Sequence, residues 1–250
     1  MDNNPSPDYI TFSGSGEPSL YSRIGEIIDH IKKKYPDIPV AVLTNGTLFK
    51  YSEVRNELSG ANLVLPSLDA VSDLSFRRIN RPQSSLDSDS HIEGLIDFRR
   101  EFDGKIWLEV FLLPEYNMDE EELSKLKSAI EKIRPDLIQL NTLDRPGAVE
   151  DLHPADYDEM KRIIGEWGFD NAVIIASPKK RSNMMAYRKD KANAIMETIS
   201  RRPCTNQDLA DILGLHLNDI NKYLDSLEKE GKINGVQQQR GVFYQLNKNE

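Results

Sequence analysis

Asp8-Tyr9-Ile10-Thr11-Phe12-Ser13-Gly14-Ser15-Gly16-Glu17-Pro18 is the stretch around which the rest of the chain falls into place. Tyr9, Ile10 and Phe12 read as a buried strand. The glycine-spaced turn Ser13–Gly16 stops it, and an amphipathic helix follows Glu17-Pro18. In a strand–turn–helix unit of a parallel sheet, ligands bind at the carboxyl end of the strand. Gly14 and Gly16 lack a Cβ, so backbone there can come close to a ligand and adopt positive φ. Glu17 then places a carboxylate at the mouth, suited to an ammonium group rather than a phosphate. A strand-ending turn with a surface glutamate is the plainer reading of these residues alone. Later strands that also end in polar clusters favour the functional one.

Those strands come in sequence. Ile24, Ile27, Ile28 and Ile31 mark one face of a helix over Ser22–Tyr35, ended by Pro36 and Pro39. Val40–Leu43 is a short strand stopped by Thr44-Asn45-Gly46, a turn signal. A helix over Tyr51–Leu58 leads to strand Asn62–Leu65, which ends in Pro66-Ser67-Leu68-Asp69. A helix over His91–Phe102 precedes Lys105–Leu113, the strongest strand, whose apolar run only Glu109 interrupts. A helix from about Asp119 to Arg134, strand Leu137–Leu140 ending at Asn141-Thr142, helix Ala155–Trp167 and strand Ala172–Ala176 complete the series. Strands alternating with helices argue a parallel α/β sheet with right-handed crossovers, a barrel or part of one. Glu17, Asn45, Ser67, Asp69, Asn117, Asn141 and Thr142 are then expected to line one mouth. Such a rim suits a polar small molecule with amines and hydroxyls.

At 250 residues, 38% hydrophobic and 29% charged, the chain can bury a full core. No apolar run approaches the ~20 residues of a membrane span, and the N-terminus lacks the cationic and apolar regions of a signal peptide. One cysteine, Cys204, excludes an internal disulfide framework and suggests a reducing, cytoplasmic setting. The formal net charge of −9 disfavours non-specific binding to nucleic acid or anionic membranes.

The end of the chain differs in kind. Residues 1–178 hold the strand–helix series, 179–190 form a basic linker (Lys179, Lys180, Arg181, Arg188, Lys189), and 191–250 form a second domain that is neutral by count. In it, Ala192–Ser200 reads as a helix and Thr205 as the N-cap of a second over Leu209–Leu213. Gly214 turns the chain into His216–Glu230, and a hairpin follows around Gln238–Gly241. This order resembles a winged helix-turn-helix. Its would-be recognition helix sets Lys222 and Lys229 against Asp219, Asp225, Glu228 and Glu230, a net of −2. DNA affinity rests on phosphate contacts, so a docking or oligomerising role is favoured over DNA binding. Arg201, Arg202 and Arg240 remain able to touch phosphate at the edges. Cys204 reads as a small buried residue.

From about Asp8 to Pro146 the chain resembles the radical S-adenosylmethionine (SAM) enzymes, and among them the Fe–S oxidoreductases similar to the wyosine-tRNA synthesis enzymes. The stretches that carry the resemblance are ITFSGSGEPSL at 10–20, VLTNGTL at 42–48, LPSLDA at 65–70, INRP at 79–82, IWLEVFLL at 106–113 and IQLNTLDRP at 138–146. It implies a partial (βα)6 TIM-like barrel, missing its first strand, with SAM across its top. The motif that binds the SAM amino group in that family maps onto Ser15-Gly16-Glu17, with serine in place of the first glycine. Asn45 lies on the same rim, the ribose is expected at Ser67 and Asp69, and the adenine near Asn141.

The same resemblance exposes a departure. Radical SAM enzymes hold a 4Fe–4S cluster through CxxxCxxC after the first barrel strand, and this chain has no such motif. Cluster iron needs thiolates, which Cys204 alone does not supply. A shortened chain, a gene start placed at an internal methionine and a naturally cluster-free descendant each account for this. The uncovered sheet edge favours the first. The function expected is therefore that of a fragment or cluster-free relative of an enzyme that cleaves SAM to a 5′-deoxyadenosyl radical, inactive as sequenced. Its substrate is of unspecified class, RNA or protein. Two other readings stand beside it: a SAM-binding or other small-ligand module that signals through the winged helix, and a protein-interaction scaffold.

Overall fold

The computed structural model describes residues 7–14, 16–143, 149, 152–175 and 191–247. Ser15, most of the Asp144–Asp151 stretch and the expected linker lie outside the described residues. The elements in order are β1 (Ile10–Phe12), a 3-10 turn (Pro18–Leu20), α1 (Ile24–Lys34), β2 (Val40–Thr44), α2 (Ser52–Leu58), β3 (Leu63–Pro66), α3 (Asp73–Ile79) and α4 (Ser88–Glu101). Next come β4 (Lys105–Leu112), α5 (Pro114–Asn117), α6 (Glu120–Ile133), β5 (Leu137–Thr142), α7 (Tyr157–Trp167) and β6 (Ala172–Ile174).

The six strands form one sheet in the order β1-β2-β3-β4-β5-β6, and every neighbouring pair is parallel. Each crossover carries a helix, as parallel pairing requires. The register follows side-chain alternation. In β4, Ile106, Leu108, Val110 and Leu112 are buried, while Trp107, Glu109 and Phe111 on the other face are half-buried. The buried set joins Ile28, Val42, Val64, Leu126, Ile130 and Leu140 in one core between sheet and helices. Burying each such side chain is worth about 1.5–3 kcal/mol. The opposite face carries Leu43, Leu65, Glu109 and Asn141, paired across the sheet as Leu43 with Leu65 and Phe111 with Asn141.

Two short helices, α3 and α5, were not expected. Ser72 opens α3 by accepting from the Ser75 amide, and the charged Asp73–Ile79 stretch buries only Ser75 and Phe76. That is too little for an apolar period to register. Asp119 caps α6, and Asp87 starts α4 three residues before His91 by accepting from the Ser90 amide.

The second unit consists of α8 (Lys191–Arg201), β7 (Cys204–Thr205), α9 (Asn206–Leu213), α10 (Leu217–Lys229), β8 (Ile233–Gln238) and β9 (Gly241–Leu246). Its sheet is antiparallel in the order β7-β9-β8. Thr205 and Asp208 form a reciprocal capping box at the start of α9. Ile195, Ile199, Leu209, Ile220, Leu224 and Ile233 make its core, with Cys204 fully buried among them. Arg240, in the hairpin turn, donates to Asp208 Oδ2 at 2.8 Å and its guanidinium stands over the Phe243 ring. No helix among the described residues is long and apolar enough to cross a membrane.

Candidate functional site

The carboxyl ends of β1, β2 and β3 open onto a shallow cleft of about 200 Å³, lined by Gly14, Gly16, Glu17, Asn45, Ser67 and Glu109 among others. Glu17 organises it. Its Oε1 accepts from the Ser19 amide at 2.9 Å, the Ser19 hydroxyl at 2.7 Å and the Thr44 hydroxyl at 2.6 Å. Its Oε2 accepts from the Asn45 amide at 2.7 Å. The carboxylate thereby caps the 3-10 turn and clamps it to the end of β2. A carboxylate offers about four acceptor positions, two on each oxygen, so Oε2 keeps capacity for a donor arriving from the cleft.

Gly14 and Gly16 behave differently from expectation. Neither has the left-handed φ that calls for glycine, and a Cβ built on either would meet nothing within 4 Å. The chain's own packing does not demand glycine there, and open space lies against the backbone.

The other polar groups divide. Ser67 continues β3 by a bridge to Glu109 and lines the cleft. Asn45 folds its side chain back, accepting from the Thr47 amide at 3.0 Å and the Thr47 hydroxyl at 2.7 Å. Asn141 reaches the cleft through Glu109, donating from Nδ2 to Glu109 Oε1 at 2.8 Å.

Asp69 does not join them. Its Oδ1 accepts from the Phe111 amide at 3.0 Å, and its Oδ2 from Asn80 Nδ2 at 2.9 Å. Burial pushes its carboxyl up to about 6, against these two donors, and the negative Glu109 adds to the rise. Asn117 is fully buried and ties the loops after β3 and β4 by donating to the carbonyls of Asp69 and Phe111, both at 2.7 Å. Thr142 is buried too, donating to the Leu112 carbonyl and accepting from the Ala155 amide. Asp69, Asn117 and Thr142 are therefore staples of the fold and not part of the cleft.

Two contributors escaped the sequence reading. Glu109 was noticed as an interruption, yet alternation along β4 puts it on the face opposite the buried Leu108 and Val110, towards the cleft. Thr44, the Glu17 clamp, carries no signal beyond its place in a turn.

Residues 4–126 match the Radical SAM superfamily. Residues 191–245 match the FaeA-like protein family. The chain is 36% identical over 235 residues to a protein named GTPase Obg from Brachyspira hyodysenteriae, with 92% of this chain and 34% of that protein covered. It thus spans about a third of that relative's length. It is 27% identical over 250 residues to a UPF0026 protein from Methanocaldococcus jannaschii, covering 98% of this chain and 76% of the other. Among solved structures, a domain of pyruvate-formate lyase-activating enzyme from Bacteroides vulgatus superposes with a TM-score of 0.52 at 19% identity, over 67% of this chain and 99% of that one. A radical SAM methyltransferase from Sphaerobacter thermophilus does so with a TM-score of 0.54 at 16% identity, over 69% and 52%. These two likenesses show a shared fold over about two thirds of this chain.

The radical SAM family uses SAM together with a 4Fe–4S cluster, and the residues present fit the two groups unequally. Among the described residues no cluster of three or more His, Cys, Asp or Glu could hold a metal ion. Cys204, the chain's one cysteine, is buried in the second unit. Among the described residues the iron–sulfur cluster finds no ligand set, and one cysteine cannot supply its thiolates. For SAM the donor set is apt: a carboxylate with a free position, a hydroxyl, a second carboxylate and open backbone at Gly14 and Gly16.

Proposed function

We propose that the radical SAM region of this chain binds SAM in the Glu17 cleft, and that the chain is a fragment or a cluster-free relative of a radical SAM enzyme. The observation that carries this reading is the convergence of Glu17, Ser67 and Glu109 on one cleft at the strand ends, beside glycines whose space the protein leaves unfilled. The methionyl ammonium meets Glu17 Oε2 and backbone at Gly14 and Gly16, and the ribose hydroxyls meet Ser67 and Glu109. Asn141 orients Glu109 for that task. A cleft of about 200 Å³ is below the ~300–1,000 Å³ usual for small-molecule sites, so binding by this chain is weak. No radical step is assigned to it, because its single cysteine is too few to supply the cluster's thiolates.

Calorimetric titration of SAM into wild type and Glu17→Gln is the test. We expect weak binding that falls about tenfold further when the charge is removed. Tight binding indifferent to the substitution would overturn the assignment.

For the C-terminal unit we propose a winged helix-turn-helix used for docking another protein. The order helix, strand, helix, helix, hairpin supports the fold. The acidic α10 and the engagement of Arg240 by Asp208 support the partner class. A mobility-shift assay at low salt with mixed-sequence duplex DNA should show no retarded band, and a salt-sensitive shift would reverse this reading.

A further inference from the structure

Helix α4 turns His91, Gly94, Leu95 and Phe98 towards the interior, and this face lies against the loop leaving β2. A Cβ on Gly94 would stand 2.6 Å from the Lys50 amide nitrogen. A Cβ on Gly46, whose φ is +70°, would stand 3.3 Å from His91 Nε2. Helix and loop backbones meet at Gly94, while at Gly46 the loop meets the side chains of His91 and Leu95, the imidazole being the polar one of the two.

His91 is 3% exposed, and neither ring nitrogen has a hydrogen-bond partner. Its neighbours are apolar on one side, with the Phe76 ring centroid at 5.6 Å. On the other, the carbonyls of Asn45 and Ser67 act on the ring to favour its protonated form, although neither completes a bond. Burial outweighs them and pushes the imidazole down to about 4. At neutral pH the ring therefore carries one N–H.

Those two carbonyls belong to residues that line the cleft on its far side. The turn above His91 is also what grips Glu17. The Gly46 amide donates to Thr44 Oγ1 at 3.0 Å, Thr44 Oγ1 donates to Glu17 Oε1 at 2.6 Å, and the Asn45 amide donates to Glu17 Oε2 at 2.7 Å. A buried donor left unpaired is costly, and these two carbonyls are the backbone acceptors that act on the ring.

We propose that His91 is a positioning residue of the Glu17 cleft: buried against the Gly46 turn with its nitrogens unpartnered, it offers its one ring N–H to the carbonyls of Asn45 and Ser67, and that attraction sets the spacing between the ends of β2 and β3. His91 touches no ligand; it acts through the turn that carries Thr44 and Asn45. Only the affinity arm of the test rests on the SAM reading of the cleft.

The experiment uses the full chain and two variants of similar bulk, His91→Leu without a donor and His91→Gln with one. The first readout is ligand-free: the 1H–15N shifts of the Gly46 and Leu68 amides, which share peptide groups with the two carbonyls. His91→Leu should move both, and His91→Gln should return them towards wild type. The second readout is SAM titration, in which His91→Leu should bind about tenfold more weakly and His91→Gln recover most of the loss. Amides that stay put in His91→Leu, or move equally in both variants, overturn the proposal. So does wild-type SAM affinity in His91→Leu. If wild type binds no SAM at all, the cleft assignment fails and the amide arm alone decides His91. Should His91→Leu not fold, the wild-type ring decides: a slowly exchanging imidazole N–H signal is expected, and its absence overturns the proposal.

Discussion

Glu17 and Asp69 make an instructive pair. Each carboxylate follows a strand of the same parallel sheet, and each was expected to face a ligand. Glu17 takes its four hydrogen bonds from the turn it caps and from the end of β2, and it still borders open space. Asp69 is half-buried and held between the Phe111 amide and the Asn80 side chain. The difference lies in what stands beyond each strand. After β1 the chain turns over a sheet edge with no further strand beside it among the described residues. Beside β3 stands the eight-residue β4, which runs on past the end of β3 and offers the Phe111 amide, and Asn117 donates to the Asp69 carbonyl. In this sheet the carboxylate beside the uncovered edge still borders open space, and the one flanked by the longer β4 does not line the cleft.

The largest effect that would break this contrast is on stability. Asp69→Ala leaves the Phe111 amide and the Asn80 amide without partners and should cost about 3 kcal/mol, read from urea unfolding of the parallel-sheet unit. Glu17→Gln keeps an oxygen for Thr44 and should cost less than about 1 kcal/mol. Equal losses at the two sites would erase the distinction between staple and cleft.

A second effect is on pH dependence. The folded-state value for Asp69 lies above the ordinary one of 3.8, at about 6. Between those values the unfolded chain has released a proton that the folded chain keeps. Stability contributed at this site therefore falls as pH rises from about 4 to about 6, and is level above that. Urea midpoints for wild type and Asp69→Asn should diverge across this window, with wild type losing ground to the variant as pH rises. Parallel midpoints would show that Asp69 is not desolvated in solution.

Smaller again is the effect on ligand affinity away from Glu17. Ser67→Ala should weaken SAM about threefold, the loss of one hydrogen bond to an uncharged group, while Asp69→Asn should change it less than about twofold. An Asp69→Asn loss as large as that of Glu17→Gln would return Asp69 to the cleft.

Much of this protein was legible in its residues. The alternation of Val40–Thr44, Lys105–Leu112 and Leu137–Thr142 with amphipathic segments specified a parallel sheet, because strand and helix periods differ and only one topology links them in chain order. The polar strand ends, including Glu17 and Ser67, were visible as interruptions of apolar runs. The want of cluster thiolates needed only a count of cysteines. Short α3 and α5 were missed because neither buries enough apolar surface to leave a period. The sorting of polar strand ends into cleft and staple depended on partners far away: Phe111 lies 42 residues from Asp69, and Thr44 lies 27 from Glu17. Side-chain period tells which face of a strand a residue occupies. Whether its charge is spent on the protein or left for a ligand is decided by the backbone donors that only folding brings beside it.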